Sequence, residues 1–254
     1  MKSVLQDKVA LVTGAGQGVG QGIAFALASA GAKVALFGRT ASKLEDSAQE
    51  IRARGSEALV LSGDVCSADD LANAVSETIR TFGGIDVLVN NAQQVPMGKL
   101  AQVTDEAFEL GFRSGPLAAL RLMKLVQPSM AERGGGTIFN LVSSAGVRWD
   151  MSGYGAYGSI KQAMRPLTRA AAAEWGTDNI RVLSIAPHAK SPGLRGWIEN
   201  NPEEAEAFFR TIPLRRVGEC EEDIGQAVVA FCQPELGYLT GATIPLDGGQ
   251  ANFD

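Results

Sequence analysis

The chain has 254 residues, 45% of them hydrophobic, and a net charge of −5 at pH 7. That length suits one large α/β domain over 1–254, able to bury a core without metals or disulfides. Charges of both signs are mixed along the chain, so no nucleic-acid footprint is expected, and no apolar run is long enough to span a bilayer.

Cys66, Cys220 and Cys232 are odd in number and scattered, and no N-terminal signal pattern is present. This favours a reducing cytoplasm over a disulfide framework or metal cluster. His188 is the only histidine, so no metal site is expected.

In chain order, residues 9–12 read as a short buried strand. It enters Thr13-Gly14-Ala15-Gly16-Gln17-Gly18-Val19-Gly20, and a helical pattern follows over 20–30 with Ile23, Leu27 and Ala30 on one side. Strand, glycine loop and helix together are the setting of a dinucleotide phosphate site. Glycines admit the pyrophosphate to the backbone, and the helix N-terminus offers free N–H groups. Gly14, Gln17, Gly18, Val19 and Gly20 are the candidate contacts. The plainer reading is an ordinary strand–helix turn.

Further strands are expected at 34–37, 58–61, 87–90, 138–142, 182–185 and 243–245, with helices at 42–54, 69–82, 117–132, 156–176 and 222–232. This alternation predicts a doubly wound parallel sheet of about seven strands covered by helices on both faces. Ligands of such sheets bind at the carboxyl ends of the strands. The glycine loop, Asn90, Ser144 and Pro187 all follow strands and so fall on that edge.

Tyr157 and Lys161 stand four residues apart in a helical pattern, and Ser144 lies thirteen residues before Tyr157. Residues i and i+4 share a helix face, about 6 Å apart along the axis. A free phenol has a pKa of about 10, and a nearby ammonium lowers it toward a useful general base. A hydroxyl, a phenol and an ammonium converging on one point form a proton-transfer site for a carbonyl or alcohol. A chance Tyr and Lys four apart is the competing reading.

Together these residues resemble the short-chain dehydrogenase/reductase family. The matching pieces are Thr13 to Gly20, Asp64, Asn90-Asn91-Ala92, Ser144, Tyr157 with Lys161, Ala186-Pro187 and Asp247-Gly248-Gly249, in the family's order across almost the whole chain. The resemblance implies a Rossmann-type fold and an NAD(P)-dependent oxidoreductase, usually tetrameric, with Ser144, Tyr157 and Lys161 catalytic. Asp64 and Val65 then meet the adenine, and Asn91, Ala92 and Pro187 join the cofactor contacts. Asp64 could instead only cap its loop.

Gly38 stands where an NAD-preferring member carries an acid for the ribose. Arg39 beside it offers a forked cation suited to a 2′-phosphate, and Thr40 adds a hydroxyl. The expectation is NADP(H) over NAD(H), although Gln17 lacks the basic charge that often strengthens NADP binding.

Three departures from the family pattern lie near the expected nicotinamide. Gln93 replaces a glycine and either reaches substrate or cofactor ribose or points outward. His188 follows Pro187 where glycine is usual, and Pro192 stands for a threonine that contacts the carboxamide. His188 titrates near neutrality and could bond substrate or carboxamide. Gly115, followed by Pro116, falls where the family has a proton-relay asparagine. Pro116 has no N–H, so the carbonyl of Phe112 should lose its helical partner. A backbone break holding a relay water, or a kink without catalytic meaning, are the two readings.

By family analogy the substrate is walled by 147–155 and 192–212, with Trp149, Tyr154, Leu194 and Trp197 beside Gln93, Ser144 and His188. This favours a bulky, largely apolar alcohol or ketone. Residues 190–214 read as a lid, with Gly193 and Gly196 as hinges. The alternatives are a cofactor-binding protein with weak or no redox activity, and a non-redox enzyme reusing Ser144 and Tyr157.

Overall fold

The computed structural model describes residues 3–147 and 150–251. Seven parallel strands form one sheet in the order β3-β2-β1-β4-β5-β6-β7. They are β1 (Val9–Thr13), β2 (Lys33–Gly38), β3 (Ala58–Ser62), β4 (Val87–Asn90), β5 (Gly136–Leu141), β6 (Ile180–Pro187) and β7 (Thr243–Leu246). Every expected strand is present, and most gain a residue or two at the ends. The sheet order reverses beside β1, which opens a crevice between the carboxyl ends of β1 and β4.

Helices cover both faces. They are α1 (Gly18–Ser29), α2 (Ala41–Ala53), α3 (Ala68–Phe82), α4 (Asp105–Phe112), α5 (Ala118–Glu132), α6 (Gly155–Trp175), α7 (Pro192–Asn200), α8 (Pro202–Phe209) and α9 (Gln226–Phe231). Alternation along β1 feeds two cores. Ala10 and Val12 pack with Ile23 and Leu27 of α1, while Leu11 packs with Leu71 of α3 and Leu122 of α5. Each of the buried valine, leucine and isoleucine side chains contributes about 1.5–3 kcal/mol by leaving water.

The expected helix over 117–132 is longer and broken. It begins at α4, passes through a π turn at Arg113–Leu117 that contains Gly115 and Pro116, and continues as α5. A π turn joins residue i to i+5. It therefore gives the Phe112 carbonyl the Leu117 amide in place of the one Pro116 lacks. The expected orphan at Phe112 is thus repaired by the bulge, because one inserted residue restores the ladder. Another π turn, Cys220–Gly225, precedes α9. It lies so close to α1 that a Cβ on Gly22 would sit 2.4 Å from the Cys220 carbonyl carbon.

Residues 192–209 form the helices α7 and α8. Gly193 and Gly196 lie inside α7. Among the described residues, no helix is long and apolar enough to cross a membrane.

At the opposite, amino-terminal edge of the sheet, Asp86 is 4% exposed. Its carboxylate accepts from the Val9 amide (2.9 Å), Lys8 Nζ (3.1 Å) and Arg133 Nη2 (2.8 Å). This ties β1, β4 and the end of α5 together. Asp86→Ala should lower unfolding free energy by about 2–3 kcal/mol, read as a lower urea midpoint at unchanged slope. Cofactor affinity should not change, because the two edges are the length of the strands apart.

Candidate active site

The glycine loop leaves β1 and enters α1 with Gly14 at φ 66° and Gly18 at φ 61°, the left-handed region where glycine is favoured. Asn91 sits behind it. Its Nδ2 donates to the Thr13 carbonyl at 2.8 Å, and a Cβ on Gly14 or Gly20 would fall 2.6 or 2.3 Å from that nitrogen. Thr13 Oγ1 accepts from the amides of Asn91 and Ala92, both at 3.0 Å. Asn91 therefore holds the loop from behind. Pro192 abuts the front, 3.2 Å from a Cβ built on Gly18, which places the start of α7 over the loop.

A groove of about 390 Å³ runs from this loop along the sheet edge, lined by Gly14, Gln17, Gly38, Arg39, Thr40, Lys43, Asp64, Val65 and Asn91–Gln94 among others. Most of the expected cofactor contacts thus share one surface. The glycine backbone with no side chain in the way, and the α1 N-terminus that no side chain caps, fit a dinucleotide pyrophosphate. Asp64 lines the groove while its Oδ1 also accepts from the Cys66 amide at 2.9 Å, so it does cap its own loop.

Lys43 is a groove residue that sequence reasoning missed. Its Nζ donates to Gln17 Oε1 at 2.6 Å, beside Arg39. The positive charge absent at position 17 is supplied from the first turn of α2. Its four-residue spacing from Arg39 was the one signal in the sequence.

The proton-transfer residues lie on β5, the turn after it, and α6. Lys161 is 6% exposed, and its Nζ donates to the Leu141 carbonyl at 2.7 Å. Burial lowers its pKa from 10.5 to about 8. Tyr157 precedes it by one turn on α6. The phenol is pushed up by burial, pulled back by a hydrogen bond to Ser143, and nudged up again by Tyr154. This differs from the expectation that Lys161 would make the phenol more acidic: the protein's own groups leave Tyr157 a weaker acid than usual, because desolvation outweighs them. Ser144 is buried at the start of a short turn, and the serine bearing on Tyr157 is its neighbour Ser143.

A smaller cavity of about 10 Å³ lies behind Lys161, lined also by Asn90, Gln93, Ser114 and Gly115. Gln93 therefore points inward against the π turn, with Nε2 3.5 Å from the Gly111 carbonyl. Ser114 Oγ accepts from the Gln94 amide (3.0 Å) and donates to the Leu110 carbonyl (2.7 Å).

The substrate candidates are more dispersed. The Tyr154 ring lies 6.4 Å from that of Tyr157. Trp197 on α7 meets Phe208 edge-on at 6.0 Å, and His188 meets the same ring at 5.5 Å. Leu194 is half-buried on α7, its amide on Ser191 Oγ at 3.4 Å. His188 lines a different cavity, shared with Pro213, Leu214 and Asp247 beside β7. The aromatic residues of this lobe thus largely pack on one another. Trp149 lies outside the described residues.

Comparison with known proteins supports the geometry. A family model described as enoyl-(acyl carrier protein) reductase matches residues 14–251. The 12alpha-hydroxysteroid dehydrogenase of Clostridium sp. is 38% identical over 254 residues, covering 97% of each chain. Dehydrogenase/reductase SDR family member 4 of Homo sapiens is 33% identical, covering 96% of this chain and 88% of its own. A 7 alpha-hydroxysteroid dehydrogenase solved with NADH and 7-oxo glycochenodeoxycholic acid superimposes at a TM-score of 0.91, with 30% identity over 98% of this chain and 96% of that one. L-sorbose reductase from Gluconobacter frateurii, solved with NADPH and L-sorbose, gives 0.92 at 27% identity over 100% of both. With a family model and relatives that span nearly its whole length, the chain belongs to the short-chain dehydrogenase/reductase family of NAD(P)-dependent oxidoreductases.

Proposed function

We propose that this protein is an NADP(H)-preferring oxidoreductase that interconverts a secondary alcohol and a ketone on a bulky, largely apolar substrate, with Tyr157 as general acid and base. The observation that carries this reading is the buried Lys161 one turn from Tyr157, behind a glycine loop with a clear groove. The nicotinamide, when bound, supplies or accepts the hydride.

In reduction, Tyr157 gives its phenol proton to the substrate oxygen. Ser144, with Ser143 beside it, donates a hydrogen bond that polarises and positions that oxygen. The upward push on Tyr157 keeps it protonated at neutral pH, which suits reduction. Oxidation needs the phenolate and is favoured as pH rises. Lys161 carries its charge below about pH 8, where it favours the phenolate and holds the cofactor ribose.

Arg39 and Lys43 flank the place of a 2′-phosphate, with Gly38 in place of an acid. Two charge-assisted partners there favour NADP(H). The steroid-active relatives at 30% and 38% identity support a large ring-bearing alcohol for the apolar lobe. Three free cysteines suit a reducing cytoplasm. The tetramer expected of the family draws support from Phe108, Phe112 and Leu125, exposed along α4 and α5.

Tyr157→Phe should cut turnover on ketones and secondary alcohols by about a thousandfold while leaving cofactor binding within a fewfold. Retained turnover would remove Tyr157 from the chemistry. Cofactor binding by the unmutated protein with no turnover on any such substrate would reduce it to a binding protein.

The unmutated protein should show higher kcat/KM with NADPH than with NADH. Removing both cations (Arg39→Ala with Lys43→Ala) should erase at least about tenfold of that preference. A preference for NADH in the parent contradicts the cofactor assignment.

Lys161 also makes stability depend on pH. Between about pH 8 and pH 10.5 the unfolded chain binds a proton that the folded one has released, so stability rises with pH in that window. Lys161→Met should therefore be more stable than the parent at pH 7 by about 2–3 kcal/mol, allowing for the lost carbonyl bond. The gap should shrink from pH 8 to pH 10 in urea melts. A gap independent of pH would show that Lys161 is not desolvated.

A further inference from the structure

The segment that leaves β6 runs over the glycine loop. Side-chain atoms of Ser191 and Pro192 lie 3.6 and 3.2 Å from a Cβ built on Gly18, so the loop and the start of α7 form two walls of one cleft. Backbone pairing holds the incoming chain as far as Lys190, whose amide donates to the Gly218 carbonyl at 2.9 Å. Past Lys190, the backbone bonds of the described residues up to Arg195 stay within the segment.

Charge carries the attachment further. Lys190 Nζ donates to Glu219 Oε1 at 2.5 Å, and Arg195 Nη2 to Glu219 Oε2 at 3.5 Å. Arg195 Nε also donates to the Lys190 carbonyl at 3.0 Å. One carboxylate thus holds a cation on each side of Ser191 and Pro192. Lys190, Arg195, Glu219 and Gly18 line a single cavity of about 450 Å³.

Glu219 stands immediately before the π turn Cys220–Gly225. Its amide donates to Asp223 Oδ2 at 2.6 Å, and Asp223 accepts two bonds from Arg216, both at 2.6 Å. The π turn in turn presses on α1. A Cβ on Gly22 would fall 2.4 Å from the Cys220 carbonyl carbon, and one on Gly225 would fall 2.6 Å from the Ala26 Cβ. Backbones packed this closely have little room to slide. The helix that opens the glycine loop and the carboxylate that holds the opposite wall are therefore fixed to the same element.

We propose that Glu219 is a positioning residue for the dinucleotide: braced by the π turn against α1, it holds Ser191 and Pro192 at a set distance from Gly18 and so fixes the width of the cleft at the pyrophosphate. The inference rests on reading the glycine loop as the pyrophosphate site. A wall held in place before the ligand arrives lowers the ordering cost of binding, so releasing it weakens binding and speeds release. The brace acts on the middle of the ligand, whereas Arg39 and Lys43 lie along the groove at the adenosine end. The Lys190 and Glu219 side chains are 37% and 36% exposed, and an ion pair in that setting is worth at most about a fivefold change in an equilibrium.

Equilibrium titration of the parent, Glu219→Gln, Lys190→Gln and the double variant tests this. The ligands are NADPH, NADH, and the fragments AMP and adenosine 2′,5′-bisphosphate, which end before the pyrophosphate bridge. Glu219→Gln should raise Kd for both dinucleotides by the same factor, about three- to fivefold, through faster release in stopped flow. Both fragments should bind as they do to the parent, which a general loosening of the fold would not allow. The double variant should bind no worse than either single variant. If Glu219→Gln does not fold, Lys190→Gln carries the same expectation, because it removes the same bond from the other side. Unchanged Kd for the dinucleotides, equal weakening of the fragments, or additive losses in the double variant each overturn the proposal. A parent that binds neither dinucleotide overturns the reading of the loop as well, a result distinct from binding that is indifferent to Glu219.

Discussion

The bond from Lys161 to the Leu141 carbonyl fixes the site. It joins the last residue of β5 to the second turn of α6 through a buried ammonium on a backbone oxygen. A buried ammonium is expensive unless its donors are used, and a carbonyl at the end of a strand is free to accept. Tyr157 takes its place from the same helix, one turn earlier. Burial here lowers the lysine and raises the phenol at once, which brings the two ordinary pKa values apart and keeps the phenol protonated beside a lysine that can titrate.

The cofactor surface depends on a close approach of a different kind. Asn91 is pressed into the glycine loop so tightly that a side chain at Gly14 or Gly20 would displace it. The glycines therefore serve two faces of one loop, leaving the outer face bare for phosphate and the inner face open to Asn91. Gly22 repeats the logic one turn later, where α1 meets the π turn before α9. Small residues in this corner let backbone meet backbone.

Local losses in this chain are made good elsewhere, by a neighbouring turn or by residues remote in sequence. Gln17 gives up a basic charge, and Lys43 brings one back across 26 residues. Pro116 removes an amide, and a π register restores the Phe112 bond. Gly115 has no side chain, and Gln93 occupies its space from another element. Each compensation preserves a charge, a hydrogen bond or a volume while changing which residue provides it.

The strands, the glycine loop and the Tyr157–Lys161 spacing were legible in the sequence because each is a local pattern: apolar runs, glycines between a strand and a helix, and one helical turn. The family and sheet class followed from those patterns in order. The direction of the Tyr157 shift was not legible, since it depends on how much protein surrounds the phenol. Neither were the choice of Ser143 as its hydrogen-bond partner, the contact of Lys43 with Gln17, or the withdrawal of His188 onto Phe208. Those are set by which elements meet across the crevice, and desolvation and side-chain direction exist only once the sheet has brought distant segments together.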